Sequence, residues 1–331
     1  MFGYILRRLI SGVLVLLVVS VAVFALFFYG PADPAIAYCP ETRCTPQRLD
    51  NIRTSLGLDR PAAEQYGEYM KGIVAGNDFQ AGAITIKCPA PCLGVSFKLR
   101  VNVTDYLMER FPATLSIAVG GAVLFLLIGV SSGIYAARRR GTLADRAIVG
   151  ASLVIFAVPY YLFALLAYLL LISQWGIFPE SGYFPLFTDG PVAWAKGLLL
   201  AWLVIGLTSA TQYARFSRGS MIESLNEDYV RTARSKGLSE RRVTMRHALR
   251  AAVVPVVTIF GLEFATLLAG TVFTERIFDI QGIGLTALNA INTRDLPVIS
   301  ATVLIAAAFI VIANLFVDII YSVIDPRVRL T

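Results

Sequence analysis

The chain has 331 residues, of which 56% are hydrophobic and 15% are charged, with a formal net charge of +7 and a mean hydropathy of +0.68. A globular core does not use so much apolar surface, so the composition predicts a protein embedded in a membrane. The basic surplus does not indicate nucleic-acid binding, which requires a soluble basic face with side chains that read bases.

Six runs of the sequence carry almost no charge, and each is long enough for a spanning helix of about 17 to 25 residues. In chain order they are Leu9–Tyr29, Phe111–Ala137, Ala147–Pro179, Gly197–Ala214, Ala251–Thr274 and Leu296–Val317. The predicted fold class is therefore an all-α polytopic membrane protein with six transmembrane helices. We expect residues 1–29 to form an N-terminal anchor and the first transmembrane helix, residues 30–110 a small external insert, and residues 111–331 a five-helix core.

The distribution of Lys and Arg predicts the orientation of the chain, because short loops with positive charge stay in the cytoplasm. Seventeen of the 29 Lys and Arg residues cluster at four places, which are Arg7 and Arg8, the segment 138–146, the segment 215–250, and Arg327 and Arg329. With six spans, this distribution predicts that both termini are cytoplasmic. The segment 30–110 then lies outside the cytoplasm, and the net charge reflects topology.

All the cysteines fall in the predicted external segment, on the oxidising side of the membrane. They are Cys39, Cys44, Cys88 and Cys92. Four cysteines allow three pairings, and the short spacings favour local Cys39–Cys44 and Cys88–Cys92 disulfides, with long-range disulfides as the alternative. Zinc is a weaker interpretation because the single histidine, His247, falls on the opposite side of the membrane. We therefore expect a disulfide-containing insert and no metal.

A helix is predicted within the same external segment. Arg60–Val74 has helical spacing, with an apolar face that could lie along the membrane surface and carries Tyr66, Tyr69, Met70 and Ile73. The helix is expected to be either a docking or gating surface for an external protein or a packed linker, and the sequence does not decide between the two.

A basic connector between the fourth and fifth spans is the most informative part of the chain. It lies in the predicted cytoplasmic loop 215–250 and continues to Pro255, reading DYVRTARSKGLSERRVTMRHALRAAVVP from Asp228. Gly237 suits the left-handed conformation that closes one helix, and Ser239 suits the N-cap of the next. A sharp bend at Lys236–Leu238 is therefore expected.

The second helix of this connector is predicted to carry its charges in an ordered way. Glu240 falls in its first turn, where the helix dipole favours an acid. A cationic stripe then recurs every fourth residue at Arg242, Arg246 and Arg250. The alternative interpretation is a solvated loop that faces lipid headgroups and only orients the protein.

The motifs of ATP-hydrolysing and hydrolytic enzymes do not fit this sequence. No G-x-x-x-x-G-K-[ST] phosphate cradle occurs. The only histidine lies in the basic loop, which argues against a serine hydrolase inside the membrane. We therefore expect a chain that is not an enzyme and has no cofactor of its own.

Several segments resemble one family at unchanged spacing. The connector reads DYVRTARSKGLS and, six residues later, RHALRAAVVP, while PADPA, ERFPATLSIA, RRGTLADR and NLFVDIIYSVIDPRVRL occur elsewhere. Together they resemble the inner-membrane permeases of binding-protein-dependent ABC importers, in the dipeptide, oligopeptide and nickel subfamily. Arg231 stands where the general EAA motif has glutamate, and the segments 39–44 and 79–100 do not follow the family pattern.

This resemblance implies a permease subunit that forms part of a translocation path for short peptides and works by alternating access. The implied partners are a second homologous permease, two ABC ATPase subunits or one fused ATPase that bind ATP and Mg²⁺, an extracytoplasmic substrate-binding protein, and membrane lipid. The implied location is the cytoplasmic membrane of a bacterium or archaeon. The residues expected to contact the ATPase are Tyr229, Ala233, Gly237, Leu238, Ser239 and Glu240, with Arg241 or Arg242 pairing with acids of the partner. Small Ala233 and Gly237 are expected to let the ATPase approach closely.

Glu263 is the one ionisable side chain in the middle of a predicted span. Because a carboxylate is costly in hydrocarbon, we expect it to face the bundle interior, a water-filled path or another subunit. It either lines the path and meets a cationic part of the cargo, or makes a structural hydrogen bond. Asp318, near the inner end of the last span, is expected to pair locally with Arg327 or to lie at the rim of the bilayer.

Other cargo and other classes of transporter stay open at this point. Nickel chelates or other small solutes use similar permeases. A channel or an ion-driven carrier needs no ATPase, but such carriers commonly show internal repeats, and the spans here form no evident matching halves.

Overall fold

The computed structural model describes residues 2–29, 35, 44–55, 58–81, 84–96 and 98–324. Within these residues, the helices long and apolar enough to cross a membrane are Leu6–Leu26, Val103–Arg138, Gly190–Asn226, Glu240–Ala269 and Leu296–Ile319. A pair of helices bent by 90°, Leu143–Ala157 and Tyr160–Gln174, makes a sixth span when counted as one. We number the spans in chain order, so that the bent pair is the third. The protein is therefore an all-α polytopic membrane protein, as predicted.

The helices are named in chain order. Those of the first half are α1 (Phe2–Tyr29), α2 (Pro46–Ser55), α3 (Ala62–Ala75), α4 (Val103–Met108), α5 (Phe111–Phe125), α6 (Ser131–Arg138) and α7 (Leu143–Ala157). Those of the second half are α8 (Tyr160–Tyr168), α9 (Gly190–Asn226), α10 (Asp228–Ser235), α11 (Glu240–Arg242), α12 (Leu249–Ala269), α13 (Val272–Ile277), α14 (Ile283–Thr293) and α15 (Leu296–Ile324). Wider π-helical segments are found at Leu126–Val130, Leu169–Gln174 and Val243–Ala248.

The external segment contains two antiparallel hairpins that the sequence pattern did not predict. Strand β1 (Asn77–Ala81) pairs with β2 (Ile84–Cys88), and β3 (Val95–Ser96) pairs with β4 (Val101–Asn102). The strands of both hairpins are short, and each strand pairs with the next one along the chain. They build a small insert above the helices.

The predicted helix in this insert is confirmed as α3, and it packs on the first span. The rings of Tyr66 and Phe24 lie 5.3 Å apart in an edge-to-face arrangement, and the hydroxyls of Tyr66 and Ser20 are 2.8 Å apart. Aromatic contacts of this kind stabilise by more than their buried area. These contacts favour the packed-linker interpretation of α3.

Pro159 divides the third span, so the prediction of one continuous span at Ala147–Pro179 is wrong in this respect. Proline lacks a backbone N–H and restricts the preceding residue to extended conformations. Val158 accordingly has φ −84° and ψ 125°, and the helix resumes at Tyr160. The apolar run gave no sign of the bend apart from the proline itself.

The fourth and fifth spans extend far beyond their apolar runs at the end where the connector joins them. Helix α9 has 37 residues and continues past Ala214 to Asn226. The fifth span starts at Glu240, because α11, the π-helical segment Val243–Ala248 and α12 follow one another without a break. Between Asn226 and Glu240, only α10 is a separate helix.

Glycines of the second span let α9 approach it closely. A Cβ atom on Gly129 would lie 2.6 Å from the Cβ of Tyr213, and one on Gly121 would lie 2.7 Å from the Cγ2 of Ile205. Small residues at such interfaces bring helices together in membranes.

Residues 129–133 read GVSSG and match G-x-S-x-G, the motif that carries the nucleophilic serine of α/β-hydrolases. In those enzymes the motif forms a sharp turn between a strand and a helix. Here it lies inside the packed helix of the second span, so it is not a nucleophile site.

The first and last spans are joined by an ion pair between the start of α1 and the end of α15. The Nε atom of Arg8 lies 2.8 Å from the Oδ2 atom of Asp318. This pair was not predicted, and it forms because α1 packs along α15 and brings a cation from the other end of the chain. Arg327 lies outside the described residues.

Candidate coupling site and membrane path

The bend predicted in the connector is present. Gly237 has φ +76°, in the left-handed region, and its N–H donates to the carbonyl of Arg234 at 2.9 Å. Ser239 occupies the N-cap position with extended backbone, although its hydroxyl accepts no hydrogen bond from the helix that follows. Glu240 is the first residue of that helix, as predicted. The bend therefore forms from local conformational preferences.

An arginine of α10 closes the bend from the side. The Nε atom of Arg234 donates to Oε1 of Glu240 at 2.8 Å, and its Nη1 donates to the carbonyl of Leu225 at 3.3 Å. One side chain thus connects α10 to the end of the fourth span and to the start of the fifth. Because the ion pair is exposed to solvent, it contributes little stability by itself, about 0–1 kcal/mol.

The inner face of α10 is buried in a hydrophobic cluster built from three spans. Val230 and Ala233 of α10 pack with residues of the second, fourth and fifth spans, which are Ala137, Met221, Val243, Ala248 and Ala252. Leu238 packs against the same cluster and is partly buried. Ala233 and Leu238 therefore support α10 from within the chain, instead of presenting their side chains at its surface.

The outer face of the connector is open to solvent. Tyr229 is 45% exposed, and a Cβ atom added at Gly237 would meet nothing within 4 Å. Ser239, Arg241 and Arg242 are exposed as well. These residues form one exposed surface at the bend, which we call the coupling surface.

A buried ion pair fixes the turn between the second and third spans to the fourth span. The guanidinium of Arg218 donates to both carboxylate oxygens of Asp145, at 2.6 and 2.9 Å, and the N–H of Gly141 donates to the same carboxylate at 2.9 Å. The side chain of Asp145 is only 6% exposed. Sequence reasoning missed this pair, although an acid three residues after the cap residue Thr142 is a recognisable helix-start signal.

Glu263 lies on the fifth span and is half-buried on the side that faces α9. Its carboxylate interacts with the hydroxyl of Tyr213, which is buried, although the two groups do not reach regular hydrogen-bond geometry. The Tyr213 ring stacks on Phe125 at 4.6 Å between centroids. The fifth span thus directs Glu263 into the bundle, as expected for a charged group at this depth.

A buried carboxyl group that sequence reasoning missed lies at the outer end of the bundle. Glu275, in the short helix α13, accepts hydrogen bonds from the Thr114 hydroxyl at 2.9 Å and from the N–H of Leu285 at 2.6 Å. Burial raises the pKa of Glu275 above its ordinary value. The group connects the second span to the loop between the fifth and sixth spans.

The external insert is connected to the same outer end. The hydroxyl of Ser96 donates to the buried carboxylate of Asp295, and the ammonium of Lys98 donates to the carbonyl of Thr293. Burial raises the pKa of Asp295 above its ordinary value. Both contacts hold the insert to the start of the sixth span.

Cys88 and Cys92 form a disulfide, which confirms the local pairing predicted for them. Cys44 is disulfide-bonded too, whereas Cys39 lies outside the described residues, so the Cys39–Cys44 pairing stays a prediction. Sulfur atoms that are joined in a disulfide are not available as thiolate ligands to zinc. In the part of the chain that is described, no three His, Cys, Asp or Glu side chains are grouped to hold a metal ion.

The structure is a polytopic helix bundle with a bent connector between its fourth and fifth spans, and the family comparison gives its class. Residues 129–330 match the family described as the binding-protein-dependent transport system inner membrane component, and residues 1–118 match the N-terminal segment of membrane components of such systems. The chain therefore belongs to this family. It is an inner-membrane subunit of an ABC importer, a transport component and not an enzyme, and its partners include a substrate-binding protein and ATPase subunits.

Relatives of similar length agree with this assignment. The chain is 35% identical over 329 residues to a peptide transport system permease protein of Brucella abortus (strain 2308), with 99% of each chain covered. It is 33% identical to the dipeptide transport system permease protein DppB of Escherichia coli (strain K12), again with 99% of each covered. It is 34% identical to a peptide ABC transporter permease protein of Sinorhizobium fredii, with 98% of this chain and 99% of the relative covered.

Proposed function

We propose that this chain forms part of the translocation path for short peptides and transmits the nucleotide state of ATPase subunits to that path. The peptide cargo is proposed because the relatives are named as peptide and dipeptide transport permeases. The coupling role rests mainly on one observation. Helix α10 and the Gly237 bend are packed against the ends of the second, fourth and fifth spans, so that they form one body with the bundle.

The proposed assembly contains a second homologous permease and two ATPase subunits or one fused ATPase, which bind ATP and Mg²⁺. Both termini lie in the cytoplasm in this arrangement, because the connector and the arginine-rich segment 138–146 must face the ATPases. The external insert then faces the substrate-binding protein, in the cytoplasmic membrane of a bacterium or archaeon.

The coupling surface is proposed to sit in a cleft of the ATPase. Tyr229, Gly237 and Ser239 are exposed for this contact, with Glu240, Arg241 and Arg242 beside them. Ala233 and Leu238 hold the surface from beneath. When the ATPases close on ATP, a displacement of α10 passes directly to the fourth and fifth spans, since packed helices move as units.

Substitution of Gly237 by Phe tests the coupling role. The variant adds bulk to the coupling surface at a left-handed position, so we expect at least about a tenfold loss of peptide uptake with normal insertion in the membrane. Gly141→Phe is a matched control, because Gly141 is also cytoplasmic, has φ +82° and would place its Cβ in open space away from the coupling surface. Uptake and peptide-stimulated ATP hydrolysis are measured in proteoliposomes. Normal uptake by Gly237→Phe, or equal losses in both variants, would contradict the role.

Glu263 is proposed to line the path and to meet the amino terminus of the peptide. Its carboxylate lies beside the buried hydroxyl of Tyr213 and forms no ion pair with any described residue, so it is available to a cationic ligand. We expect Glu263→Gln to lower uptake of dipeptides with a free amino terminus several-fold and to leave N-acetylated dipeptides unaffected. Competition between the two peptides during uptake provides the measurement. An unchanged preference for the free amino terminus would remove Glu263 from the path.

A further inference from the structure

A polar cavity lies on the cytoplasmic side, where the connector meets the ends of the second and fourth spans. Its volume is about 340 Å³, and its polar lining residues are Arg138, Arg140, Asn226, Arg234, Glu240 and Thr244. It is bordered by three elements that a coupling motion would shift relative to one another. We call it the inner cavity.

The charge of the inner cavity is positive. Its one carboxylate, from Glu240, is already paired with Arg234 at 2.8 Å. Neither Arg138 nor Arg140 forms an ion pair with any residue that the structure describes, and the nearby acid Asp145 is occupied by Arg218. The charge of Arg140 also acts on Asp145, but one carboxylate does not balance both Arg218 and Arg140, so the cavity keeps a net positive charge.

A hydroxyl group in the wall of the cavity also lacks a partner. Thr244 is 1% exposed and lies in the π-helical segment Val243–Ala248, yet its hydroxyl forms no hydrogen bond with any described residue. The hydroxyls of the other buried threonines are all hydrogen-bonded, namely those of Thr114, Thr211, Thr274, Thr286 and Thr302. The oxygen of Thr244 is not sealed from solvent, so its hydroxyl is open to a ligand in the cavity that accepts its hydrogen bond.

We propose that the inner cavity binds a phosphate group, either the headgroup of an anionic lipid or free phosphate in the cytoplasm. Guanidinium groups match the geometry of phosphate oxygens, and the Thr244 hydroxyl supplies a further donor. A phosphate here contacts the end of the second span through Arg138 and Arg140 and the start of the fifth through Thr244. It would hold these elements in one arrangement. Glu240 borders both this site and the coupling surface, whereas Arg138, Arg140 and Thr244 belong neither to that surface nor to the proposed peptide path.

Two sets of variants test the site on the purified transporter complex. Arg138→Gln combined with Arg140→Gln removes the charges, and Thr244→Val removes the hydroxyl with little change of shape. Arg139→Gln is the matched control, because Arg139 lies between the two arginines but its guanidinium stacks over the ring of Tyr135 at 5.0 Å and does not line the cavity. Retention of phosphatidylglycerol relative to phosphatidylcholine is measured by native mass spectrometry, and binding of inorganic phosphate by calorimetry. Neither assay needs peptide or ATP, so failure of the coupling role would not affect it.

The two sources of phosphate give different results. A lipid headgroup is identified if the wild type and Arg139→Gln retain phosphatidylglycerol. Its binding should then weaken roughly fivefold for each cavity arginine removed. The same pattern seen only with inorganic phosphate identifies a soluble ligand. The site is overturned if all variants bind each probe as well as the wild type does. It is also overturned if the wild type neither prefers phosphatidylglycerol to phosphatidylcholine nor binds inorganic phosphate. Crosslinks that place an ATPase side chain inside the cavity overturn it as well.

Discussion

The two ends of the helix bundle hold their carboxyl groups in different ways. At the end that carries the connector, which we call the inner end, Asp145 is paired with Arg218 and Glu240 with Arg234. At the outer end, Glu275 and Asp295 are buried and accept hydrogen bonds from hydroxyl or backbone N–H groups, with no ion pair to a described residue. Carboxyl groups are therefore held by ion pairs at the inner end and by hydrogen bonds from uncharged donors at the outer end.

This difference predicts that the two ends respond to different conditions. A carboxylate with a guanidinium partner keeps its charge, and where the pair is exposed its strength depends on salt. A carboxyl group buried among neutral donors has a raised pKa, so its contribution to stability depends on pH. The inner end, which the proposed ATPases move, is thus expected to be insensitive to external pH.

The largest expected effect comes from breaking the buried inner pair. Asp145→Ala leaves Arg218 without its carboxylate in a largely buried position, so we expect a loss of about 3–5 kcal/mol in the free energy of unfolding. Asp228→Ala is the control, since Asp228 is 96% exposed and pairs only with Arg231 in the next turn. That variant is expected to lose less than about 1 kcal/mol. Denaturant unfolding of the complex in detergent measures both, and equal losses would contradict the distinction between buried and exposed pairs.

A smaller effect is expected from removing the disulfide at the outer end. Replacing both Cys88 and Cys92 by Ala opens a short loop, which in the chain-entropy description costs about 2 kcal/mol. Because the loop is local, hydrogen exchange should rise in β2 and β3 and stay unchanged in the spans. Faster exchange in the sixth span would show that the disulfide supports more than the insert.

The smallest effect is a pH dependence at the outer end. The pKa of Glu275 is higher in the folded chain than in the unfolded chain, so its contribution to stability is complete below its ordinary pKa and is lost as pH rises through the raised pKa. Asp295 acts in the same direction. Glu275→Gln cannot titrate, and we expect thermal unfolding midpoints that fall less with rising pH than those of the wild type.

The control for this prediction is a carboxyl group from the same end of the bundle. Glu109 is 77% exposed, and Glu109→Gln should leave the pH profile of the unfolding midpoint as it is in the wild type. If Glu275→Gln and the wild type gave parallel profiles, the buried carboxyl group would not be the source of the dependence.

The features that sequence predicted correctly depend on neighbours along the chain. The bend at Gly237 needs a left-handed residue between two helix-forming stretches, and the Cys88–Cys92 pairing needs only a short spacing. The spans follow from the length of apolar runs. Helix α3 follows from periodic apolar residues.

The features that sequence did not predict depend on partners far apart in the chain. Asp145 is buried because Arg218 lies beside it, 73 residues later, and Glu275 is buried beside Thr114, 161 residues earlier. Asp318 pairs with Arg8 across 310 residues. No local pattern distinguishes such carboxyl groups from exposed ones.

Local conformational preference and hydrophobicity, which each stretch carries by itself, determined the spans, the insert and the bent connector. The packing of the second, fourth and fifth spans decided which face of the connector is exposed, which acids are buried and where the inner cavity lies. These outcomes depend on distances between helices, and a linear pattern of residues contains no such distances.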